Sequence, residues 1–413
     1  MSEVITFGCR LNFYESEVIK NNLKKAELDD VIVVHTCAVT SEAERQVKAK
    51  IRKLYNNNAN VKIIVAGCAA QLNPESYMSM PGVVKVLGNE DKLKYESYIT
   101  ADKVIVGNIG SSRKVIKDSI KQFPGKSRAL IEIQNGCNHE CTFCVITKAR
   151  GNNRSLHIED IITQVKDCVN NGYNEVVFTG VDISDFGIDI YGQRMLGVMI
   201  KRVLGAIPQL RRLRLSSIDV AEIEDDLIDI IGNEPRFMPH LHLSLQSGNN
   251  LILKRMKRRH NREQVVEFCN RVSGMRKDIV FGADIIVGFP TETEDMFNDT
   301  VKLIEEANIS YLHIFPYSAR EGTPAARMPQ VLPEVRKRRT KYLWEIAEKR
   351  LKSFYNTLLH TRQSIVVEKS GIGRAENFAL VKFFSQDVQL QSVVEVMVKA
   401  VEGNYLIAEV LKL

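Results

Sequence analysis

The sequence predicts an α/β protein built from three units in series: an N-terminal parallel-sheet α/β domain, a central partial (β/α)6 barrel of six strands, and a small C-terminal antiparallel β-barrel. Most of the chain alternates short β-branched runs with amphipathic helical stretches, which is typical of parallel strands covered by helices. One long basic helix follows, and after it the chain is β-rich. With 413 residues, of which 44% are hydrophobic, the chain is long enough for two to three domains.

The first unit, 1–107, predicts a parallel sheet. Phe13–Ala26 and Ser41–Tyr55 carry apolar residues at helical spacing. The runs around them are rich in β-branched residues and too short for helices, as strands are. The predicted strands are Val4–Phe7, Val31–His35, Val61–Ala66 and Val83–Leu87. A polar stretch with Gly, Ser and Lys, 108–127, then predicts a linker.

The second unit, 128–357, continues the alternation. Its predicted helices include Ile158–Val169, Glu222–Ile231 and Glu294–Ala307, and Glu334–Asn356 is the long basic helix. Six βα units favour an open barrel over the full eight-unit barrel, although a doubly wound sheet has a similar pattern. The predicted strands are Ala129–Gln134, Glu175–Thr179, Leu213–Ser216, Leu241–Leu245, Val280–Val287 and Tyr311–Pro316.

The third unit, 358–413, has β-rich runs separated by Gly, Asn, Asp and Gln, a composition that suits a small antiparallel barrel. The predicted strands are Gln363–Glu368, Ala379–Phe384, Val393–Val401 and Tyr405–Leu411.

The composition excludes several classes of protein. The net charge of +7 permits an acidic partner such as nucleic acid without requiring one. No stretch approaches the roughly 18 apolar residues of a membrane helix, and the first residues lack the pattern of a signal peptide. We therefore expect a cytoplasmic protein with no membrane partner. In that compartment thiols stay reduced, and clustered cysteines hold metal more often than they form disulfides.

Three cysteines lie close together directly after a predicted strand. Cys137, Cys141 and Cys144 form a C-x3-C-x2-C run. Cysteine thiolates are the usual ligands of iron–sulfur clusters and of structural zinc. Zinc normally takes four protein ligands, and no fourth cysteine or pair of histidines completes such a site, since His139 is badly placed to do so. Three ligands on a four-iron cluster leave one iron open for a small molecule.

Three further cysteines are far apart in the sequence but follow three predicted parallel strands by two residues each. They are Cys9, Cys37 and Cys68. The carboxyl ends of parallel strands meet at one edge of a sheet, where ligands bind, and Gly8 and Gly67 suit a close approach of the backbone to a bulky ligand. From the residues alone, a shared ligand site and three buried core cysteines are equally good interpretations.

The C-x3-C-x-aromatic-C pattern, with Phe143 at the aromatic position, resembles the signature of the radical S-adenosylmethionine (radical SAM) superfamily. The resemblance implies a [4Fe–4S] cluster on these three cysteines, whose open iron binds the amino and carboxylate groups of S-adenosylmethionine. It further implies that an electron from the cluster cleaves the sulfonium and yields a 5′-deoxyadenosyl radical. The predicted partial barrel agrees with the fold of that superfamily.

The words FGCRLNFYESE, HTCAVT and VAGCAAQ, followed by CTFC, are similar to the methylthiotransferase family over essentially the whole chain. The resemblance implies a second [4Fe–4S] cluster on Cys9, Cys37 and Cys68, whose open iron carries the sulfur to be inserted. It also implies that the third unit is a TRAM-like RNA-binding domain.

Four residues stand outside these motifs. Cys168 and Cys269 fall on predicted helices, match no cluster motif and are expected in the core or at incidental positions. His35 stands where the family usually has Asn, and Thr147 lies where Pro usually follows the last cysteine. Neither departure removes a ligand.

The segment HIFPYSAREGTPAARM resembles the branch of the family that acts on N6-threonylcarbamoyladenosine next to the anticodon of tRNA. The resemblance implies methylthiolation of C2 of that base with two molecules of S-adenosylmethionine, and an electron donor and a sulfur source that the sequence does not identify. Sister branches act on isopentenyladenosine in tRNA or on an aspartate of a ribosomal protein. A cluster-containing RNA-binding or electron-transfer protein is the alternative from outside the enzymes.

By the same resemblance, Thr179 and Gly180 take the place of the motif that binds the methionine amine. Ser244 and Gln246 are candidates for polar contacts to S-adenosylmethionine, and the turn at Gly288 is a candidate for shaping its adenine slot. Each of these positions is equally compatible with a strand-end turn that serves the fold.

Two basic runs, 254–262 and 336–350, are candidates for contact with RNA, because basic faces neutralise phosphates. Each run taken alone is more typical of a solvated helix face. Further candidates in the third unit are Lys369, Arg374, Lys382 and Phe383.

Overall fold

The computed structural model describes residues 2–112, 115, 120–384 and 388–411. Its first sheet is parallel throughout, in the order β1-β2-β3-β4-β5. The strands are β1 (Glu3–Thr6), β2 (Val31–Thr36), β3 (Lys62–Gly67), β4 (Val83–Leu87) and β5 (Val104–Ile105). The helices are α1 (Arg10–Lys25), α2 (Ser41–Asn57), α3 (Cys68–Leu72), α4 (Pro74–Met78) and α5 (Glu96–Ile99).

Burial on both faces explains why this sheet is parallel. Strand β2 is buried along almost its whole length, and helices pack on the two sides of the sheet in separate apolar clusters. Strand β5 was not predicted, because two residues carry no readable periodicity. The predicted linker, 108–127, lies partly outside the described residues, and its described part buries Ile120 and Phe123.

The central unit has six parallel strands in chain order, in two groups of three: β6-β9-β10 and β11-β12-β13. Isolated parallel bridges, Leu213↔Phe237 and Ile218↔Leu243, connect the groups. Strand order without reversal distinguishes a partial barrel from a doubly wound sheet, so the predicted partial (β/α)6 barrel is confirmed. The six strands are β6 (Ala129–Glu132), β9 (Glu175–Thr179), β10 (Arg212–Leu215), β11 (His240–Gln246), β12 (Val280–Val287) and β13 (Ile309–Pro316).

A small hairpin of β7 (Gln134–Asn135) and β8 (Arg154–Ser155) flanks the cysteine loop. Helices cover the outer face of the barrel, where alternate strand residues enter one continuous apolar core. These helices are α6 (Ile146–Arg150), α7 (Ile158–Asn170), α8 (Ile188–Tyr191), α9 (Leu196–Ala206), α10 (Asp225–Asn233), α11 (Asn250–Arg255), α12 (Arg262–Met275), α13 (Glu294–Glu306) and the long α14 (Pro333–Thr357). Cys168 on α7 and Cys269 on α12 are buried in this core.

The C-terminal strands close into a five-stranded barrel in the order β14-β15-β16-β18-β17. All its pairs are antiparallel except β16 with β18, which is parallel. Strand β15 was not predicted, since it is short and contains a glycine. The strands are β14 (Arg362–Lys369), β15 (Ile372–Ala375), β16 (Leu380–Phe383), β17 (Val393–Glu402) and β18 (Tyr405–Val410).

The C-terminal barrel covers the amino-terminal end of the central barrel. The Arg214 guanidinium donates to the carbonyls of Ala375 at 2.8 Å and Glu376 at 2.7 Å. The Phe378 ring stacks on His240 with 4.5 Å between ring centroids. Only the carboxyl ends of the barrel strands are therefore left for a site. Within the described residues, every helix is too short or too polar to cross a membrane.

Candidate active site between two cysteine triads

The N-terminal cysteine triad lies at the carboxyl ends of three neighbouring strands. Cys9 precedes α1, Cys37 follows β2, and Cys68 begins α3 directly after β3. Gly8 has a φ of +96°, and a Cβ there would lie 2.7 Å from the Cys37 sulfur. The structure thus brings Cys9, Cys37 and Cys68 together as the strand-end argument predicted, and Gly8 makes the room for it.

Two asparagine side chains surround this triad. The Asn12 amide donates to the carbonyls of Phe7 at 2.7 Å and Thr36 at 3.0 Å, which fixes the loops that carry Cys9 and Cys37. The Asn89 amide nitrogen lies 3.4 Å from the Cys68 sulfur and 2.7 Å from the Ala149 carbonyl. Asn89 therefore connects Cys68 to helix α6 of the central barrel.

A buried charge network lies beneath the triad. Arg150 forms two hydrogen bonds to Glu15, at 2.8 and 2.9 Å, and a third to the Asn12 side chain at 2.8 Å. The Lys92 ammonium is 2.9 Å from the same carboxylate. Burial raises the pKa of the Glu15 carboxyl, but these two cations outweigh burial and hold that pKa well below its usual range. Burial raises the pKa of the Cys9 and Cys37 thiols, and the nearby charge of Arg150 works against that rise.

His35, which departs from the family pattern, belongs to this network. Its side chain is fully buried, with Nδ1 2.9 Å from the Ser16 hydroxyl and Nε2 3.6 Å from Glu15. Burial, together with the charge of Lys92, lowers the pKa of His35 well below its usual value, so the ring is neutral. His35 therefore contacts the support of the triad and leaves its cysteines free.

The second triad lies on the loop between β7 and α6. Backbone amides donate to two of its sulfurs: His139 to Cys137 at 3.3 Å and Ile146 to Cys144 at 3.4 Å. Burial raises the pKa of Cys144 to about 11, and the thiols of Cys141 and Cys68 add to the rise. That influence of Cys68 means that the two triads lie near each other.

The basic run 254–262 supports this loop. The Arg258 guanidinium lies 3.7 Å from the Cys141 sulfur and donates to Asp219 at 2.6 Å and to the Ser244 carbonyl at 2.7 Å. His260 lies 3.1 Å from the same aspartate, and Arg259 pairs with Glu222. These three side chains of the run are therefore paired with carboxylates of the protein itself, and contact between the run and RNA stays a prediction.

Acidic side chains that the sequence did not single out line the far side of the loop. Asp182 lies 3.6 Å from the Cys137 sulfur. His139 Nε2 is 2.9 Å from Asp182, 3.2 Å from Asp185 and 3.4 Å from Glu222. His139 thus faces these carboxylates, and with Cys137 and Asp182 it forms a group whose possible ligand atoms lie within 4.8 Å of one another.

One cavity of about 210 Å³ lies beside the second triad, where Cys144 lines it together with Val39 and Thr40 from the loop that follows Cys37. Its walls come from the loop after β2, from the cysteine loop and from the carboxyl ends of β11, β12 and β13. Gln246, at the end of β11, has a φ of +69°, a strained backbone that is characteristic of functional sites. The lining residues are Val39, Thr40, Phe143, Cys144, Val145, Ile146, Gln246, Asp284, Ile286, Phe315, Pro316, Tyr317 and Ser318.

The other candidates for S-adenosylmethionine contact differ in position. Ser244 lies on β11 beside Gln246 and is half-buried. Thr179 is 1% exposed, and a Cβ at Gly180 would lie 2.6 Å from the Gln134 carbonyl. A Cβ at Gly288, where φ is +70°, would overlap Arg336 of α14. Glycine is thus required at positions 180 and 288, because a side chain there would overlap neighbouring residues of the same protein.

The donor sets fit iron–sulfur clusters better than zinc. Each triad offers three free thiols, and within the described residues neither has a fourth cysteine. Amide-to-sulfur hydrogen bonds and nearby cations are the features that stabilise thiolate ligands. The fold and this cysteine loop define a radical SAM protein.

Comparison with known proteins agrees. Residues 131–304 match the Radical SAM superfamily, and residues 2–88 match the uncharacterized protein family UPF0004. A solved structure of the radical SAM methyltransferase TsrM from Kitasatospora setae superposes with a TM-score of 0.52 at 14% identity, over 76% of this chain and 68% of that one. At this identity the likeness concerns the fold alone.

Relatives of established family cover nearly the whole chain. The threonylcarbamoyladenosine tRNA methylthiotransferase MtaB of Rickettsia prowazekii is 51% identical over 92% of this chain and 90% of its own. The protein of the same name from Bacillus subtilis is 33% identical over 95% and 92%. The tRNA-2-methylthio-N(6)-dimethylallyladenosine synthase of Corynebacterium urealyticum is 31% identical over 98% and 82%. The chain belongs to the radical SAM methylthiotransferase family, whose cofactors are S-adenosylmethionine and [4Fe–4S] clusters.

Proposed function

We propose that this chain transfers a methylthio group to C2 of N6-threonylcarbamoyladenosine in tRNA. The observation that carries the proposal is the 51% identity to a threonylcarbamoyladenosine tRNA methylthiotransferase over 92% of the chain. The cavity beside Cys144 supports it, as does Asn89, which links Cys68 to helix α6, because the reaction needs a radical source and a sulfur carrier next to one base.

We assign one [4Fe–4S] cluster to Cys137, Cys141 and Cys144, and a second one to Cys9, Cys37 and Cys68. The paired amides at Cys137 and Cys144 support the first assignment. The cationic pair Arg150 and Lys92 supports the second, since it compensates thiolate charge.

We assign S-adenosylmethionine to the edge of the cavity beside Cys144. Phe143, Ser244 and Gln246 would line its site, and the backbones at Thr179, Gly180 and Gly288 would border it. When bound, the cluster at Cys137, Cys141 and Cys144 supplies the electron that generates a 5′-deoxyadenosyl radical. Phe143 and Ile286 exclude water from the space where that reaction occurs, which protects a reactive intermediate.

The remaining partners follow from the same chemistry. We divide the chain at 1–107, 108–127, 128–357 and 358–413, and propose that the first unit holds the sulfur-carrying cluster and the last one contacts tRNA. Reduction and sulfur replacement require an external electron donor and a sulfur source. The target base lies in an anticodon loop, so it leaves its stack to enter the cavity.

The test is mass spectrometry of tRNA nucleosides from cells with and without this protein. Loss of 2-methylthio-N6-threonylcarbamoyladenosine with accumulation of its precursor supports the proposal, and restoration by the wild-type chain but not by Cys68→Ala assigns the loss to the first triad. Loss of the methylthiolated isopentenyladenosine instead would transfer the assignment to the sister tRNA branch. Unchanged nucleosides would exclude tRNA and favour a ribosomal protein.

A further inference from the structure

Three polar side chains form a cluster inside the barrel that no step above uses. They are His242 on β11, Asp284 on β12 and His313 on β13. In the strand register, His313 is directly opposite Asp284, and His242 is opposite Gly282, two residues earlier on the same strand. Neighbouring parallel strands present opposite residues on one face, so all three project into the barrel interior.

Both imidazoles share one carboxylate oxygen. His242 Nε2 lies 2.9 Å and His313 Nδ1 lies 3.2 Å from Oδ1 of Asp284, and the two rings are 4.4 Å apart between centroids. Burial raises the pKa of the Asp284 carboxyl, but these hydrogen bonds outweigh burial and hold that pKa below its usual range. Asp284 therefore remains anionic and accepts hydrogen bonds from both rings.

The cluster reaches from the catalytic cavity to the open edge of the barrel. Asp284 is part of the cavity wall together with Cys144. His313 lies on β13, the edge strand of its sheet, and its side chain is 61% exposed, against 11% for His242. Nδ1 is the ring nitrogen that lies against Asp284, and Nε2 is the other nitrogen of this exposed ring.

The groove beside His313 carries charges of both signs. Lys341, Glu345 and Glu348 of α14 line it together with His313, in a volume of about 450 Å³, and Lys341 lies 4.0 Å from Glu345. Lys341 gives an anionic ligand at His313 a cation nearby. An imidazolium between Asp284 and an incoming carboxylate would have an anion at each nitrogen, which is a stable arrangement of charge-assisted hydrogen bonds. A divalent cation is the other ligand such a cluster attracts, but it would have to replace both hydrogen bonds to Asp284.

We propose that His313, oriented by Asp284 and supported by His242, binds the carboxylate of the threonyl group on the substrate adenosine. This inference rests on the proposed function and adds the residue that selects its substrate. An isopentenyl group has no charge and no hydrogen-bonding atom, so it gains nothing from His313. The exposed edge position lets a base carried by a large RNA bring its side chain to this histidine.

The experiment uses the reconstituted full chain and two anticodon stem–loop RNAs, one with threonylcarbamoyladenosine and one with its uncharged methyl ester. For the wild type we expect kcat/KM to fall about ten- to a hundredfold from the acid to the ester, the range of a charged hydrogen bond. His313→Gln should show that loss with the acid and no further loss with the ester. Asp284→Asn should have a smaller effect in the same direction, as a positioning residue.

The control is His157→Gln, an exposed histidine that precedes α7 outside the barrel interior. It should behave like the wild type with both RNAs. Iron content and 5′-deoxyadenosine formation without RNA should equal those of the wild type in the His313 and His157 variants, and His313→Asn repeats the test with a shorter side chain.

Three results would overturn the proposal. Equal losses with acid and ester in the His313 variants would indicate a structural role. Unchanged kcat/KM would remove His313 from recognition. A stoichiometric divalent metal in the wild type that is absent from His242→Asn would make the cluster a metal site. If the wild type modifies neither RNA, the proposed function itself fails. That outcome is distinct from the results above, because it concerns the wild type and cannot be produced by the variants.

Discussion

Arg150 joins the two cysteine triads at the level of single atoms. It lies at the end of α6, the helix that follows Cys144, yet its guanidinium contacts Glu15 and Asn12 beneath the N-terminal triad. Both the guanidinium and the Glu15 carboxylate are nearly inaccessible to water. A buried ion pair of this kind is costly to break because the remaining charge has no solvent.

We predict that Arg150→Gln lowers the free energy of unfolding of the metal-free chain by about 3–5 kcal/mol, the range for removing one partner of a buried pair. Urea titration followed by circular dichroism measures it. Arg45→Gln is the matched control, since Arg45 pairs with Glu42 on the surface of α2, and it should leave the urea midpoint unchanged. An equally small change in Arg150→Gln would show that the ion pair does not stabilise the fold.

A second prediction at this scale concerns pH. Burial raises the pKa of Glu132 to about 8, and its neighbour Glu15 contributes. The folded state thus binds a proton that the unfolded state releases near pH 4.5, so stability is complete below that pH and declines as pH rises toward 8. The slope contributed by one proton is at most about 1.4 kcal/mol per pH unit. In Glu132→Gln, unfolding midpoints between pH 5 and 8 should show less decline; an unaltered profile would contradict this.

At the scale of elements, the turn between β15 and β16 closes the amino-terminal end of the central barrel. Phe378, in this turn, has a φ of +71° and stacks on His240 of β11. Four guanidinium groups lie over its ring, at 4.2 to 5.9 Å from the centroid: Arg374, Arg214, Arg128 and Arg10. Arg374 is therefore engaged inside the protein. Phe383 is only 3% exposed. Both observations contradict the contact with RNA that was expected of these two side chains.

We predict that Phe378→Ala weakens the docking of the C-terminal barrel and lowers the unfolding free energy by about 2–4 kcal/mol, from lost burial and lost cation–π contacts. Hydrogen exchange should increase in β14–β16 and at the amino-terminal ends of β10 and β11. Phe384→Ala is the control, because Phe384 is 83% exposed on the same barrel. Equal exchange in the two variants would mean that the Phe378 turn does not hold the barrels together.

At the scale of the whole molecule, the N-terminal unit lies against the carboxyl ends of the central barrel strands. The Ser41 and Ser318 hydroxyls are 2.7 Å apart, Arg320 pairs with Glu44, and Arg150 pairs with Glu15. Ser318 also lines the cavity beside Cys144. The two cysteine sites are consequently fixed with respect to each other before any ligand arrives.

Local patterns in the sequence predicted most of the strands and placed Cys9, Cys37 and Cys68 at the ends of three of them. They left a shared ligand site and three core cysteines equally good, and the family resemblance decided between these. The Arg150–Glu15 pair could not be predicted, since its members are far apart in the chain and a buried charge has no local signature. For a related reason, the count of basic residues in 254–262 could not predict which of these side chains are paired within the protein. Arg258, Arg259 and His260 have carboxylate partners on other elements, and composition does not say which cations are neutralised.

The most direct test of the account is cluster counting in the wild type and in two triple variants, one with Cys9, Cys37 and Cys68 replaced by Ala and one with Cys137, Cys141 and Cys144 replaced. Iron and sulfide analysis with electron paramagnetic resonance should find two [4Fe–4S] clusters in the wild type and one in each variant. Only the variant that keeps Cys137, Cys141 and Cys144 should respond spectroscopically to S-adenosylmethionine. A single cluster in the wild type, or the loss of both clusters in either variant, would contradict the claim that the protein has two independent cluster sites.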